Sequence, residues 1–193
     1  MTPGLQLASL VYAAVLARWL SIRDRRVLFG VVAAALVLAW VPYPWGPVAW
    51  LASYTGEFSL TTVVLAGAGL AHRAGIAAGP GRRELRGICL VIVAVAAIFY
   101  PLALGAAPLN PYEWGFGSYA FSSGLLGLGL MAWLLRAWFV LAIVVLAQFG
   151  LALQLLASDN LWDYLLDVWL VFWAAGWLIR DAWQHRPGLQ ASE

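Results

Sequence analysis

DNLWDYLLDVWLVFWAAGWLIR, residues 159–180, is the stretch whose reading decides the fold. It reads as one apolar helix with acids along it. Asp159, Asp163 and Asp167 fall at i, i+4 and i+8, so a continuous helix lines them on one face. Trp162, Trp169, Trp173 and Trp177 form a ridge beside that row. At ~1.5 Å of rise per residue, Asp167 lies roughly 20 Å from Arg180. If Arg180 marks one edge of a ~30 Å hydrocarbon layer, Asp167 falls near its middle. A carboxylate there costs at least ~2.5 kcal/mol, a cost that a leucine avoids. The stretch therefore points to a polar site inside a membrane protein.

Composition agrees. Of 193 residues, 64% are hydrophobic and 10% charged, and the mean hydropathy is +0.85. Soluble domains carry about 25% charged residues. The expected class is an all-α, polytopic integral membrane bundle forming a single domain over 1–193, with six or seven transmembrane helices and no soluble domain. Nothing in the composition suggests nucleic acid as a partner. Every basic residue other than the two histidines is Arg. Cys89 is alone, which excludes an intrachain disulfide and a cysteine metal cluster within the chain. His72 and His185 fall at expected helix ends, which disfavours a bis-histidine haem site. The N-terminus, MTPGLQLASL, lacks the basic region of a cleaved signal peptide and reads as the start of the first span.

The expected spans are 5–20, 27–41, 57–71, 87–104, 119–135, 137–157 and 161–179. The segment PYPWGPVAW (42–50) stops the second helix, and 47–56 reads as an interfacial helix or a re-entrant turn. All eleven arginines fall between spans one and two, three and four, or five and six, or after seven. The positive-inside rule makes that side cytoplasmic, with the N-terminus outside and the C-terminus inside, in a plasma or bacterial-type inner membrane. Glu57, Glu113, Asp159, Asp163 and Asp167 map to the opposite side.

That segregation suggests an outward-facing ligand site built from Asp163 and Asp167, with Glu57, Glu113, Gln148 and Trp169 as helpers. Oxygen ligands from several elements suit Ca²⁺, Mg²⁺ or Mn²⁺, and Asp159, Asp163 and Asp167 are the candidate metal ligands. A proton relay or a cationic substrate fits the same acids. Structurally, Asp159 or Ser158 is expected to cap the helix, and Asp167 to be a neutral acid bonded to Gln148, Ser122 or Tyr100. Gly124, Gly127 and Gly129 are expected to allow close helix packing. Trp169 and Trp173 lie too deep for an interfacial aromatic belt, and such a stripe at helical spacing is usually a contact surface.

The Asp-x3-Asp-x3-Asp spacing resembles the aspartate motifs of enzymes that use metals to transfer lipid phosphates. The accompanying Gly, Ala and Arg positions are missing and no basic residue lies on the acidic side, so no residue role carries over. In size and span number alone the chain resembles integral membrane substrate-binding subunits. The first expectation is thus binding or transport of a cation, proton or small polar or cationic molecule. The alternatives are a non-catalytic subunit or assembly factor of a larger membrane complex, and a metal-dependent enzyme acting on a lipid. A catalytic role has the least support, because no nucleophile is paired with a base.

Overall fold

The computed structural model describes residues 3–185. The described chain is helical throughout, with α1 (Gly4–Trp19), α2 (Arg25–Leu38), α3 (Pro47–Thr55), α4 (Leu60–Arg73), α5 (Arg82–Ala103), a 3₁₀ turn (Pro111–Gly115), α6 (Tyr119–Leu134), α7 (Trp138–Ala152), α8 (Leu161–Leu165) and α9 (Val168–Gln184). Helix starts follow local capping chemistry. The Asp24 carboxylate accepts from Arg26 N at 2.7 Å to open α2, and the hydroxyls of Ser59 and Ser118 open α4 and α6. Pro47 at the first turn of α3 is placed where its missing N–H costs nothing.

Long-range bonds fix which helix ends lie together. At one end Arg82 forks onto Asp181 (Nε–Oδ1 2.6 Å) and joins α5 to α9. Nearby, Glu84 accepts from Phe139 N at 3.2 Å and so caps α7, while Arg73 reaches the Ile22 carbonyl. At the other end Ala157 N donates to Glu57, Tyr112 donates to Asp163 and Ser59 donates to Asp167. The helices therefore alternate in direction, and the bundle has a basic end and an acidic end. Between them, Ile88, Cys89, Ile92, Ala96 and Phe99 of α5 pack against Leu166, Leu170 and Ala174. Ala8 and Val11 of α1 pack against Phe58 and Val63.

Two stretches are long and apolar enough to cross a membrane, Arg82–Ala103 with 22 residues and Leu161–Gln184 with 24. The second reaches 24 residues only when taken across Leu166 and Asp167, whose backbones are extended (φ −140°, ψ 133° and φ −136°, ψ 162°). Helices α1, α6 and α7 are apolar but have 16, 16 and 15 residues. Of the seven expected spans, these two stretches are the ones that reach crossing length.

Several local expectations are corrected. The acids do not form one helical row, because the chain leaves the helix at Leu166. Asn160 rather than Ser158 or Asp159 caps α8, its Oδ1 accepting from Trp162 N at 2.9 Å. The third expected span, 57–71, is observed as α4 and starts at Leu60, so Glu57 stands outside it. Of the three α6 glycines, only Gly129 packs closely, its hypothetical Cβ 3.4 Å from Val144, while Gly124 and Gly127 face open space.

Candidate functional site at the acidic end

Asp167 organises this end. Its Oδ1 accepts from Leu170 N at 2.8 Å and caps α9. Its Oδ2 accepts from Ser59 N at 2.9 Å, Ser59 Oγ at 2.7 Å and Thr62 Oγ1, all at the start of α4. Four donors on one carboxylate suit its deprotonated form, which only accepts. The N-termini of α4 and α9 both converge on it. Each carries roughly +0.5 of an elementary charge, so together they offset about one negative charge. This explains how an acid sits in an apolar bundle with no cation beside it among the described residues.

The break at Leu166 is sealed from the same side. The Leu165 carbonyl, released from helical bonding, accepts from Thr61 Oγ1 at 2.7 Å. The run Ser59-Leu60-Thr61-Thr62 therefore clamps both sides of the interruption. Sequence reasoning missed these hydroxyls as partners of Asp167. The local signal was the Ser59 and Thr62 spacing of a capped helix start, which names the cap but not a carboxylate more than a hundred residues away.

Asp163 fastens a second element. Its Oδ2 accepts from the Tyr112 hydroxyl at 3.0 Å and from Ser158 Oγ. Asn160, fully buried, donates from Nδ2 to the Tyr112 carbonyl at 2.9 Å. Trp162 Nε1 donates to the Pro111 carbonyl at 2.9 Å, and its ring stacks on Phe121 with centroids 4.6 Å apart. The 3₁₀ turn is thus held onto α8. Burial and then the bond to Asp163 push the Tyr112 hydroxyl above its ordinary pKa.

The other expected site residues lie apart. Glu113 accepts from Asn110 Nδ2 within its own turn, and Asp159 accepts from Gln154 at 3.4 Å. Gln148 donates to the Ser122 carbonyl, tying α7 to α6 rather than reaching Asp167. Trp169 donates from Nε1 to the Thr55 carbonyl at 2.9 Å. Glu57 accepts from Ala157 N at 2.8 Å and borders a cavity of about 360 Å³ between α1 and α3. Tyr100 lies in the field of both Asp163 and Asp167.

Among the described residues, no group of three His, Cys, Asp or Glu side chains is arranged to hold a metal ion. Asp159, Asp163 and Asp167 each answer to separate protein donors, so the expected divalent site has no shared centre. All buried side-chain nitrogens and oxygens among the described residues have hydrogen-bond partners. The acidic end therefore works as a latch: it holds a broken helix, a turn and the start of α4 in one register.

The latch makes a graded prediction. Asp163→Ala removes the one oxygen that accepts from both Tyr112 and Ser158. A loss of about 1 kcal/mol is expected, with faster proteolysis in the connection between α5 and α6. Unchanged proteolysis would show that Asp163 does not hold the turn.

The chain matches no family model, no curated protein and no solved structure.

Proposed function

We propose that this chain is a seven-span integral membrane protein, acidic end outward and arginines cytoplasmic, acting as a non-catalytic subunit of a larger membrane complex. Membrane placement is supported by where the apolar surface faces. Only 28% of the apolar window of α5 and 22% of that in Leu161–Gln184 is buried. The core helix of a soluble protein would be mostly covered, whereas these helices turn most of their apolar side chains outward. The charge asymmetry supports the orientation. Helices of 14–16 residues rise ~21–24 Å, and the polar turns at both ends supply the rest of a crossing.

The observation that carries the subunit role is the outer face of α9. Leu170 and Ala174 are buried, while Phe172, Ile179 and Trp183 are exposed on the opposite side and Trp173 on the flank. Gly176 opens onto empty space on that same face, which allows another helix to come close. Among the described residues the Trp173 indole N–H has no acceptor. In hydrocarbon such a donor favours an acceptor on a neighbouring protein helix.

The test is native mass spectrometry after gentle detergent extraction of wild type and a Phe172→Ala/Trp173→Ala variant. Wild type is expected with a second protein chain attached, and the variant as a folded, lone chain. Wild type that runs alone overturns the subunit reading.

A second reading, binding of a cation or small cationic molecule from the acidic end, is supported by charge placement. Glu57, Glu113, Asp159, Asp163 and Asp167 lie there, and among the described residues no arginine or histidine does. The bonds of Asp163 and Asp167 direct this reading toward Glu57.

A further inference from the structure

We propose that the cavity between α1 and α3 binds an organic ammonium group, with Glu57 as its counter-charge and an aminophospholipid headgroup as its source. This deepens the second reading above and rests on the membrane placement. The cavity holds about 360 Å³ and is lined by Gly4 and Ala8 of α1, Ala52 and Ser53 of α3, Tyr43 and Glu57.

The carboxylate is pinned beside one helix start, which offsets about half of its charge. Its Oε2 accepts from the Ala157 amide at 2.8 Å. Its Oε1 lies where a Cβ on Gly4 would come within 2.7 Å, so the glycine gives it room against the start of α1. An amide bond orients a carboxylate but leaves its charge. Among the described residues no arginine or histidine lies at this end to offset the rest.

The rest of the wall suits a cation with methylene or methyl groups. Tyr43 brings an aromatic ring to the wall, the chemistry of a cation–π contact. Ser53 donates its hydroxyl proton to the Trp50 carbonyl at 2.7 Å, which leaves its oxygen free to accept an ammonium N–H. Gly4, Ala8 and Ala52 are small and apolar. A phosphate would need an arginine or lysine fork, and the wall has none. Position selects the source. Tyr43, which lines the cavity, is exposed, as are Trp45, Trp50 and Tyr54 in the same segment of chain, and such aromatics sit at headgroup level.

The test reconstitutes wild type, Glu57→Gln and Ala52→Leu in bilayers of equal phosphatidylethanolamine and phosphatidylglycerol, followed by native mass spectrometry of retained lipid. A second arm adds free ethanolamine to the same mixed bilayers and follows whether it displaces the amine lipid. Wild type is expected to retain the amine lipid about tenfold over the anionic one, and both variants to lose that preference. Gln still accepts from Ala157 N, and Ala52→Leu fills the cavity while keeping Glu57, so losing the preference in both separates binding from misfolding. Retention without competition by free ethanolamine assigns the lipid as source. Competition by free ethanolamine also supports the site and assigns it to soluble amines. Equal retention of both lipids, with no effect of ethanolamine, overturns the site while leaving membrane placement intact. Failure of wild type to insert into any bilayer overturns the placement and the site with it.

Discussion

Asp167→Ala is expected to lower the unfolding free energy by about 4 kcal/mol, the largest effect of any single side-chain removal at the acidic end. The substitution strips acceptors from Ser59 N, Ser59 Oγ, Thr62 Oγ1 and Leu170 N at once. Ser59 is fully buried, so its groups have no water to turn to. Each unpaired buried donor costs about 1–3 kcal/mol, and the sum is less than additive because the freed groups relax together. The α9 cap is lost as well, worth ~1 kcal/mol.

Asp167→Asn separates a latch from a ligand site. If Asp167 served a ligand, the amide would leave a stable fold and remove only binding. As a latch, the residue accepts on both oxygens, so the amide must point its NH₂ either at Leu170 N or at the three donors of α4. A loss of about 2 kcal/mol is expected. Reversible denaturation in mixed micelles measures both variants. An Asn variant as stable as wild type would falsify the latch.

Gly115→Ala is expected to cost about 3 kcal/mol. A Cβ at Gly115 would overlap Asn160 Oδ1 and lie 2.9 Å from Trp162 Cδ1. Asn160 cannot retreat, because Oδ1 holds Trp162 N and Nδ2 holds the Tyr112 carbonyl, both at 2.9 Å. The 3₁₀ turn must therefore lift from α8, taking the Tyr112–Asp163 bond with it. Gly124→Ala is the control. Its Cβ meets nothing within 4 Å, and Ala favours a helix over Gly by up to ~1 kcal/mol, so its melting temperature should hold or rise. Equal melting temperatures for the two variants would mean that the turn is not seated on Asn160.

These effects converge on one structural fact: the acids with the strongest sequence signal are bonded to distant parts of the same chain. That is why the proposed function rests on the outer face of α9 and the proposed ligand site on Glu57. Asp167 has its negative charge met by two helix ends, whereas Glu57 has one helix start, an amide and a cavity.

Helix placement was legible in the sequence because it depends on local physics. Apolar runs, capping residues and the arginine, proline and glycine boundaries put helices close to six of the seven expected spans, while the residues from 47 form the short helix Pro47–Thr55. Charge placement was legible too, since helices that alternate in direction carry each connecting segment to a definite end. The interruption at Leu166 and Asp167 was not. The spacing of Asp159, Asp163 and Asp167 is compatible with an unbroken helix, and nothing within a few residues opposes one. Only the tertiary structure brings Ser59, Thr61 and Thr62 against that point. There, four donors for the carboxylate and one for the freed Leu165 carbonyl stabilise the broken chain more than a continuous helix with an unpaired acid. Local spacing sets which face a side chain shares, but the partner that decides whether the backbone stays helical lies 108 residues away in sequence.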